Sequence, residues 1–237
     1  MGKVLGIIPA RGGSKGIPGK HTRKLAGQSI LAYAAQSAKA SGVIDRLILS
    51  SNDEAIIAEA REHEIEVPFV RPEALAQDDT AMLPVLQHAV EQLEDAGWQP
   101  DIIVLLQPTA PLRQPKHIRD AVSQLRESGA DSVVSVLEIP HLFAPQKALR
   151  MGEDGLDFWL EDGQQITRRQ QLQTAYAREG TIYAFWRDTL MEIKSIYGLK
   201  CLPLVLPANE SLTLDTEADW EMAQARLQSL IKESQHQ

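Results

Sequence analysis

The chain is poor in cysteine and aromatic residues and has no long apolar run. Its one cysteine, Cys201, allows no internal disulfide and no thiolate metal cluster, and it favours a reducing compartment. The first apolar stretch, from Val4 to Pro9, is ended by Arg11, and no segment approaches the ~18 apolar residues of a bilayer-spanning helix. A cytoplasmic protein is therefore expected. Base is outweighed by acid, 24 Lys and Arg against 32 Asp and Glu, for a formal net charge of −8. That balance argues against nucleic acid or an anionic membrane as a non-specific partner. A second lack is local: residues 1–44 carry seven basic residues and no Asp or Glu. A basic patch on an acidic protein suits a compact anion.

What is present belongs to an ordinary globular chain of 237 residues, with 43% hydrophobic and 24% charged residues, enough for one large domain without staples. Val4-Leu5-Gly6-Ile7-Ile8 is an unbroken apolar run of the kind buried on both faces of a sheet. Ser29 can cap a helix to about Ala40, residues 46–50 read as the next strand, and Asn52 or Asp53 opens a helix carrying Ile56, Ile57 and Ala60. Leu83, Leu86, Val90 and Leu93 fall at helical spacing. Residues 102–106 form the clearest central strand, and Ile118, Ala121, Val122 and Leu125 mark a helix before a strand at 132–137. This alternation predicts a doubly wound, mainly parallel α/β sheet in a single domain, residues 1–237.

Residues from about 140 to 180 break the rhythm, being polar and without a long periodic segment, and read as an insert. Strand patterns resume at 181–186 and 199–206, and Trp220, Ala223, Leu227, Leu230 and Ile231 give a terminal helix its buried stripe. An insert of about 40 residues with no core pattern of its own is more easily stabilised on a partner than in water, which predicts a homodimer.

The first strand feeds directly into Pro9-Ala10-Arg11-Gly12-Gly13-Ser14-Lys15-Gly16-Ile17-Pro18-Gly19-Lys20. Glycines there let backbone N–H groups approach a ligand, and three cations project beside them, which is chemistry suited to a polyphosphate. A Walker A loop would need glycine where Ser14 stands and Ser or Thr where His21 stands, and G-x-G-x-x-G has no match. P-loop NTPases and Rossmann dehydrogenases are thus disfavoured. Gln107 follows the central apolar strand, at the strand end where open parallel sheets bind ligands.

Four blocks resemble the sugar nucleotidyltransferases, and specifically the cytidylyltransferases that activate sialic acids and related nonulosonic acids. They are I-I-P-A-R-G-G-S-K-G-I-P-G-K at 7–20, R-P-E-A-L-A-Q-D-D-T at 71–80, L-L-Q-P-T-A-P-L-R at 105–113 and L-D-T-E-A-D-W at 214–220. The resemblance implies a Rossmann-like nucleotidyltransferase fold with a protruding dimerisation element. It also implies transfer of CMP from CTP to N-acetylneuraminate, or a close analogue such as a legionaminate, by in-line attack on the α-phosphorus. Carried onto this chain, it makes Arg11, Lys20 and Asp215 catalytic, with Ala10, Gly13, Ser14, His21 and Arg71 completing the nucleotide site. Gln107, Arg168 or Arg169, and Arg178 would meet the sugar acid, where a guanidinium fork matches a carboxylate.

The implied cofactor is Mg²⁺, bound through Asp215 and the substrate phosphates. The alternative for Asp215 is a cap on the helix that follows. The chain departs from the family pattern at His21 (commonly Asn), at Glu179-Gly180 (Asn-Gly), at Ala110 (Ser) and at Thr213 (often a second Asp). Two rival readings are a sister enzyme acting on another sugar acid such as Kdo, and a non-catalytic nucleotide-binding module.

Overall fold

The computed structural model describes residues 2–13 and 16–234. The chain runs β1 (Val4–Pro9), β2 (Lys24–Leu25), β3 (Gln28–Ser29), α1 (Ile30–Ser41), β4 (Arg46–Ser50), α2 (Glu54–Glu62), α3 (Met82–Asp95), β5 (Ile102–Leu105) and α4 (Pro115–Ser128). It continues through β6 (Ser132–Glu138), β7 (Leu149–Met151), β8 (Leu156–Phe158), β9 (Tyr176–Trp186), α5 (Arg187–Met191), β10 (Cys201–Val205) and α6 (Glu217–Ser234). Helix starts follow local chemistry. The Ser29 hydroxyl accepts the Ala32 N–H at 3.2 Å to open α1, and the Asp53 carboxylate accepts the Ala55 and Ile56 amides to open α2.

Six strands form the main sheet in the order β10-β6-β9-β5-β1-β4. β1 pairs in parallel with β4 and β5, and β10 with β6. β9 runs antiparallel to both of its neighbours. The reason lies in the insert: a parallel return needs a crossover to the far end of the sheet, whereas the chain leaves the carboxyl end of β6, folds into short 3₁₀ turns and the β7-β8 hairpin, and re-enters beside its exit. β9 begins at Tyr176, inside the segment that the sequence pattern assigns to the insert.

Alternating strand residues feed two cores. Val4, Ile8, Val104 and Ile182 pack under α1 and α4, while Leu5, Ile7, Leu105 and Phe185 pack under α3 and α5. Gly6 faces the first of these cores, where a Cβ would stand 2.9 Å from Leu47 Cδ1, so the strand carries no side chain there. A third cluster joins Trp220, Ala223 and Leu227 of α6 to Ile17, Leu25 and Ile30. Leu230 and Ile231, expected in that stripe, are exposed because α6 extends beyond the surface it covers.

Candidate active site

From β1 the chain winds through α1 to β4 on one side, then crosses back to place β5 on the other, so β1 and β5 flank the point where strand order reverses. A crevice opens there between the carboxyl ends of the strands. The glycine loop after β1 and the Gln107 turn after β5 form its walls, and Arg11, Lys20, His21, Arg71, Gln107 and Thr109 all line it. An adjoining recess shares Arg11, Lys20 and His21 and adds Gly13 and Asp53. Five of the residues expected from the sequence thus converge on one cleft. Gly13 sits at φ 70°, a conformation that costs a side-chain-bearing residue energy. Ala10 is buried and its N–H donates to the Ser50 carbonyl at 3.0 Å, so that donor serves the sheet and not a ligand. Ser14 lies outside the described residues.

The cations are held differently. Arg71 is buried, with Nε donating to Ser50 Oγ at 2.9 Å, Nη2 to the Ser50 carbonyl, and its own amide to the Ser51 carbonyl at 2.8 Å. Burial, then the nearby Arg11 charge, lowers its pKa to about 10, which still leaves it cationic at neutral pH. Arg11 is partly exposed and paired with Asp78 at 2.6 Å. Lys20 is pulled down by burial and by Arg11, against the opposing pull of the Asp215 carboxylate. His21 is buried with its Nδ1 unpaired among the described residues. Burial first, then the charges of Lys20, Arg71 and Arg11, push it down to about 4 despite Asp53. It is therefore a neutral imidazole at physiological pH, and among the described residues the basic groups that line the cleft are Arg11, Lys20 and Arg71.

Asp215 arrives by way of α6. Trp220 anchors the helix against Ile17 and Leu25, Arg23 stacks 4.5 Å over the Trp220 ring and pairs with Glu217 at 2.7 Å, and the Leu214 amide donates to the Thr109 carbonyl at 2.9 Å. This docking presses the Asp215 backbone onto Gly16, where a Cβ would come within 2.3 Å of the Asp215 carbonyl oxygen. The helix cap is a reciprocal pair, with Thr216 N–H donating to Asp219 Oδ2 at 2.8 Å and Asp219 N–H to Thr216 Oγ1 at 3.3 Å. The capping alternative for Asp215 thus fails, and its exposed carboxylate stands beside Lys20.

The remaining sequence-predicted residues lie off this cleft. Arg178 is exposed on β9; its Nη1 donates to the Tyr197 hydroxyl and its guanidinium stacks 5.5 Å from the Tyr197 ring. Tyr197 in turn meets Tyr183 edge to face at 6.2 Å. Arg168 and Arg169 are exposed in the insert, where the Arg168 N–H donates to Gln171 Oε1 at 2.9 Å. Nothing in the sequence marks Ser50, which fixes Arg71, or Tyr197, and the Arg11 partner Asp78 stands in the 71–80 block without a role. Arg113 likewise stands within a motif without a role, although that side chain is buried beside Gln107.

The sequence profile of the family described as Cytidylyltransferase matches residues 5–198. The pseudaminic acid cytidylyltransferase of Campylobacter jejuni subsp. jejuni serotype O:23/36 is 31% identical over 221 residues, covering 93% of this chain and 94% of that protein. The CMP-N,N'-diacetyllegionaminic acid synthase of Legionella pneumophila subsp. pneumophila is 31% identical over 233 residues, covering 98% and 99%. Among solved structures, a CMP:2-keto-3-deoxy-manno-octonic acid synthetase complexed with CTP shares the fold with a TM-score of 0.72 at 16% identity, over 96% of this chain and 99% of that one. With a profile match across most of its length and relatives aligned nearly end to end, the chain belongs to the cytidylyltransferase family.

Proposed function

We propose that the protein transfers CMP from CTP to a nonulosonic acid and releases pyrophosphate. The observation that carries this is one cleft at the β1/β5 switch point that Arg11, Lys20, Arg71 and Gln107 all line. The anomeric hydroxyl oxygen of the acid attacks the α-phosphorus and gives up its proton, and the bond from the α-phosphorus to the bridging oxygen breaks, so pyrophosphate leaves with the electron pair. Arg11 and Lys20 offset the triphosphate charge, Arg71 faces the cytidine, and Gln107 orients the acid. Relatives named for pseudaminic and diacetyllegionaminic acids support a nine-carbon acceptor of that kind.

Among the described residues no three His, Cys, Asp or Glu side chains gather to hold an ion. A Mg²⁺ would therefore be held by Asp215 together with phosphate oxygens of the substrate, where it supplies positive charge to the departing pyrophosphate. Arg178 and Arg168 are assigned to the acceptor's carboxylate. Neither lines this chain's own cleft, and the Arg168 assignment goes with a homodimer in which the insert serves a second copy. Among the described residues no helix is long and apolar enough to cross a membrane, and the lone cysteine supports a cytoplasmic location.

The test pairs each of CTP, UTP, ATP and GTP with N-acetylneuraminate, a legionaminate, a pseudaminate and Kdo, and reads pyrophosphate release. CTP with a nine-carbon acid is expected to exceed every other pairing by at least about tenfold in kcat/KM. Kdo as best acceptor, or UTP or ATP matching CTP, overturns the reading.

A further inference from the structure

Arg113 is only 6% exposed, in the turn that carries the chain from β5 to α4. Its Nε donates to the Thr181 carbonyl at 2.7 Å and its Nη2 to the Gln107 carbonyl, while Nη1 is buried and unpaired among the described residues. One guanidinium therefore grips both walls of a narrow gap, the Gln107 turn and the middle of β9. In that gap the Gln107 side chain lies against Gly180, where a Cβ would stand 2.8 Å from Gln107 Oε1 and where φ is 87°. The backbone conformation calls for glycine, and a Cβ there would displace the Gln107 carboxamide.

β9 is irregular at this point. Val134 pairs with Tyr183 but Val136 with Arg178, so Ser135 alone faces residues 179–182. The buried Ser135 hydroxyl accepts the Ile182 N–H at 2.8 Å and donates to the Ile182 carbonyl at 3.1 Å. The bulge aims Glu179 inward. Its carboxylate accepts the Thr181 N–H at 3.0 Å and the hydroxyls of Thr181 and Ser211. The Thr213 hydroxyl donates to the Glu179 carbonyl at 2.6 Å. Glu179 is thus tied to residues 211–213, next to Asp215, and its charge is the one that supports Arg113 against the burial that lowers its pKa to about 10.

We propose that Arg113 and Glu179 are positioning residues for the acceptor: Arg113 sets the Gln107 carboxamide against the Gly180 turn, and Glu179 fixes the segment that delivers Asp215, so the pair governs placement of the acid and not binding of CTP. The inference rests on the function proposed above. Glu179 acts on Arg113 through its charge and is itself only half-buried, so the coupling contributes little net stability. Of the groups the pair holds, Gln107 lines the cleft itself, whereas the CTP-side cations are anchored separately, Arg71 by Ser50 and Arg11 by Asp78. The glutamate also spends its oxygens on Thr181 and Ser211, so it is a brace and no substitute for a second metal carboxylate at Thr213.

Arg113→Lys keeps the charge but replaces a two-pronged fork by a single ammonium. In the full-length enzyme, with the acid from the panel above that turns over fastest, the variant is expected to raise KM for that acid at least about tenfold. The CTP Kd, measured by calorimetry without acceptor, should stay within about twofold. Glu179→Gln should shift KM for the acid in the same direction. Adding it to Arg113→Met should recover at least about threefold of what Arg113→Met loses, because it removes the carboxylate whose charge Arg113 balances. Acid KM and CTP Kd moving together, or a fall in melting temperature with the kinetic constants unchanged, overturns the proposal. If no acid of the panel turns over, the functional reading fails, and hydrogen exchange of the ligand-free protein decides the positioning claim on its own. Arg113→Lys should then speed exchange at 107–110, 179–182 and 211–214 while leaving 4–10 and 46–51 unchanged, and uniform or unchanged exchange overturns it.

Discussion

His21 is buried and has positive charges around it, and both make its protonation costly to the fold. Its pKa is about 4 in the folded chain against 6.5 when free, so between those values the unfolded state binds more protons. Stability is therefore fully present above pH 6.5 and is lost as the pH falls toward 4, by up to about 3 kcal/mol for the shift. Urea unfolding of the wild type at pH 7 and pH 4.5 should show this loss on top of that from carboxylates such as Glu59 and Glu210. His21→Asn should lose about 2 kcal/mol less over the same interval, and an equal loss in both proteins removes the assignment. Asp215→Asn tests the opposite sign of charge. Thr216 and Asp219 keep the α6 cap, so stability should hold while kcat falls at least about a hundredfold, on the scale of one key electrostatic contact. Near-normal turnover at limiting Mg²⁺ would refute the role. Residues such as Arg11, Lys20 and Gln107 were legible because signature and strand end both mark them. Arg113 was not, since its partners at 107 and 181 meet only once β5 and β9 lie side by side.

At the scale of elements, hydrophobic period and caps located most of the fold. The Ser29 and Asp53 starts and the continuous apolar run of β5 are local signals, and each appears where it was read. The pattern failed where a neighbour decides the outcome. β9 starts early because β6 continues to Glu138 and offers it an edge, and Leu230 and Ile231 keep the helical period after the surface under α6 has ended. The contact between α6 and the glycine loop is of this kind as well. A methyl added at Gly16 would stand 2.3 Å from the Asp215 carbonyl oxygen, a backbone atom, so the loop or the Asp215 segment must move to admit it. Gly16→Ala should therefore displace Asp215, lowering kcat about tenfold and raising the Mg²⁺ concentration for half-maximal rate, together with a fall in melting temperature. Unchanged Mg²⁺ dependence would separate the loop from Asp215.

For the whole molecule the insert carries the argument. Leu142, Phe143, Met151, Leu156, Phe158 and Trp159 are all exposed there, in a segment built only of short turns and a two-stranded hairpin. That is more apolar surface than a soluble monomer ordinarily leaves to water. An apolar groove continues from it, lined by Leu137, Ile139, Pro140, Phe143, Ala177 and Val205. The turns and hairpin were not legible in the sequence, because residues 140–175 lack the periodic pattern that marks packing within one chain. Lack of that pattern was itself the signal for a partner, and a second copy would bury the insert and give the exposed Arg168 a cleft to serve. The protein is expected to sediment near twice 26.2 kDa at micromolar concentration. Replacing Phe143 and Trp159 together by Asp places two charges in the apolar surface and should yield a monomer. That monomer should bind CTP about as tightly as wild type, since Arg11, Lys20 and Arg71 belong to one chain, while kcat/KM for the acid falls at least about tenfold. A monomeric wild type ends the proposal, and a monomeric variant with unchanged kcat/KM leaves the insert an assembly element with no share in the acid site.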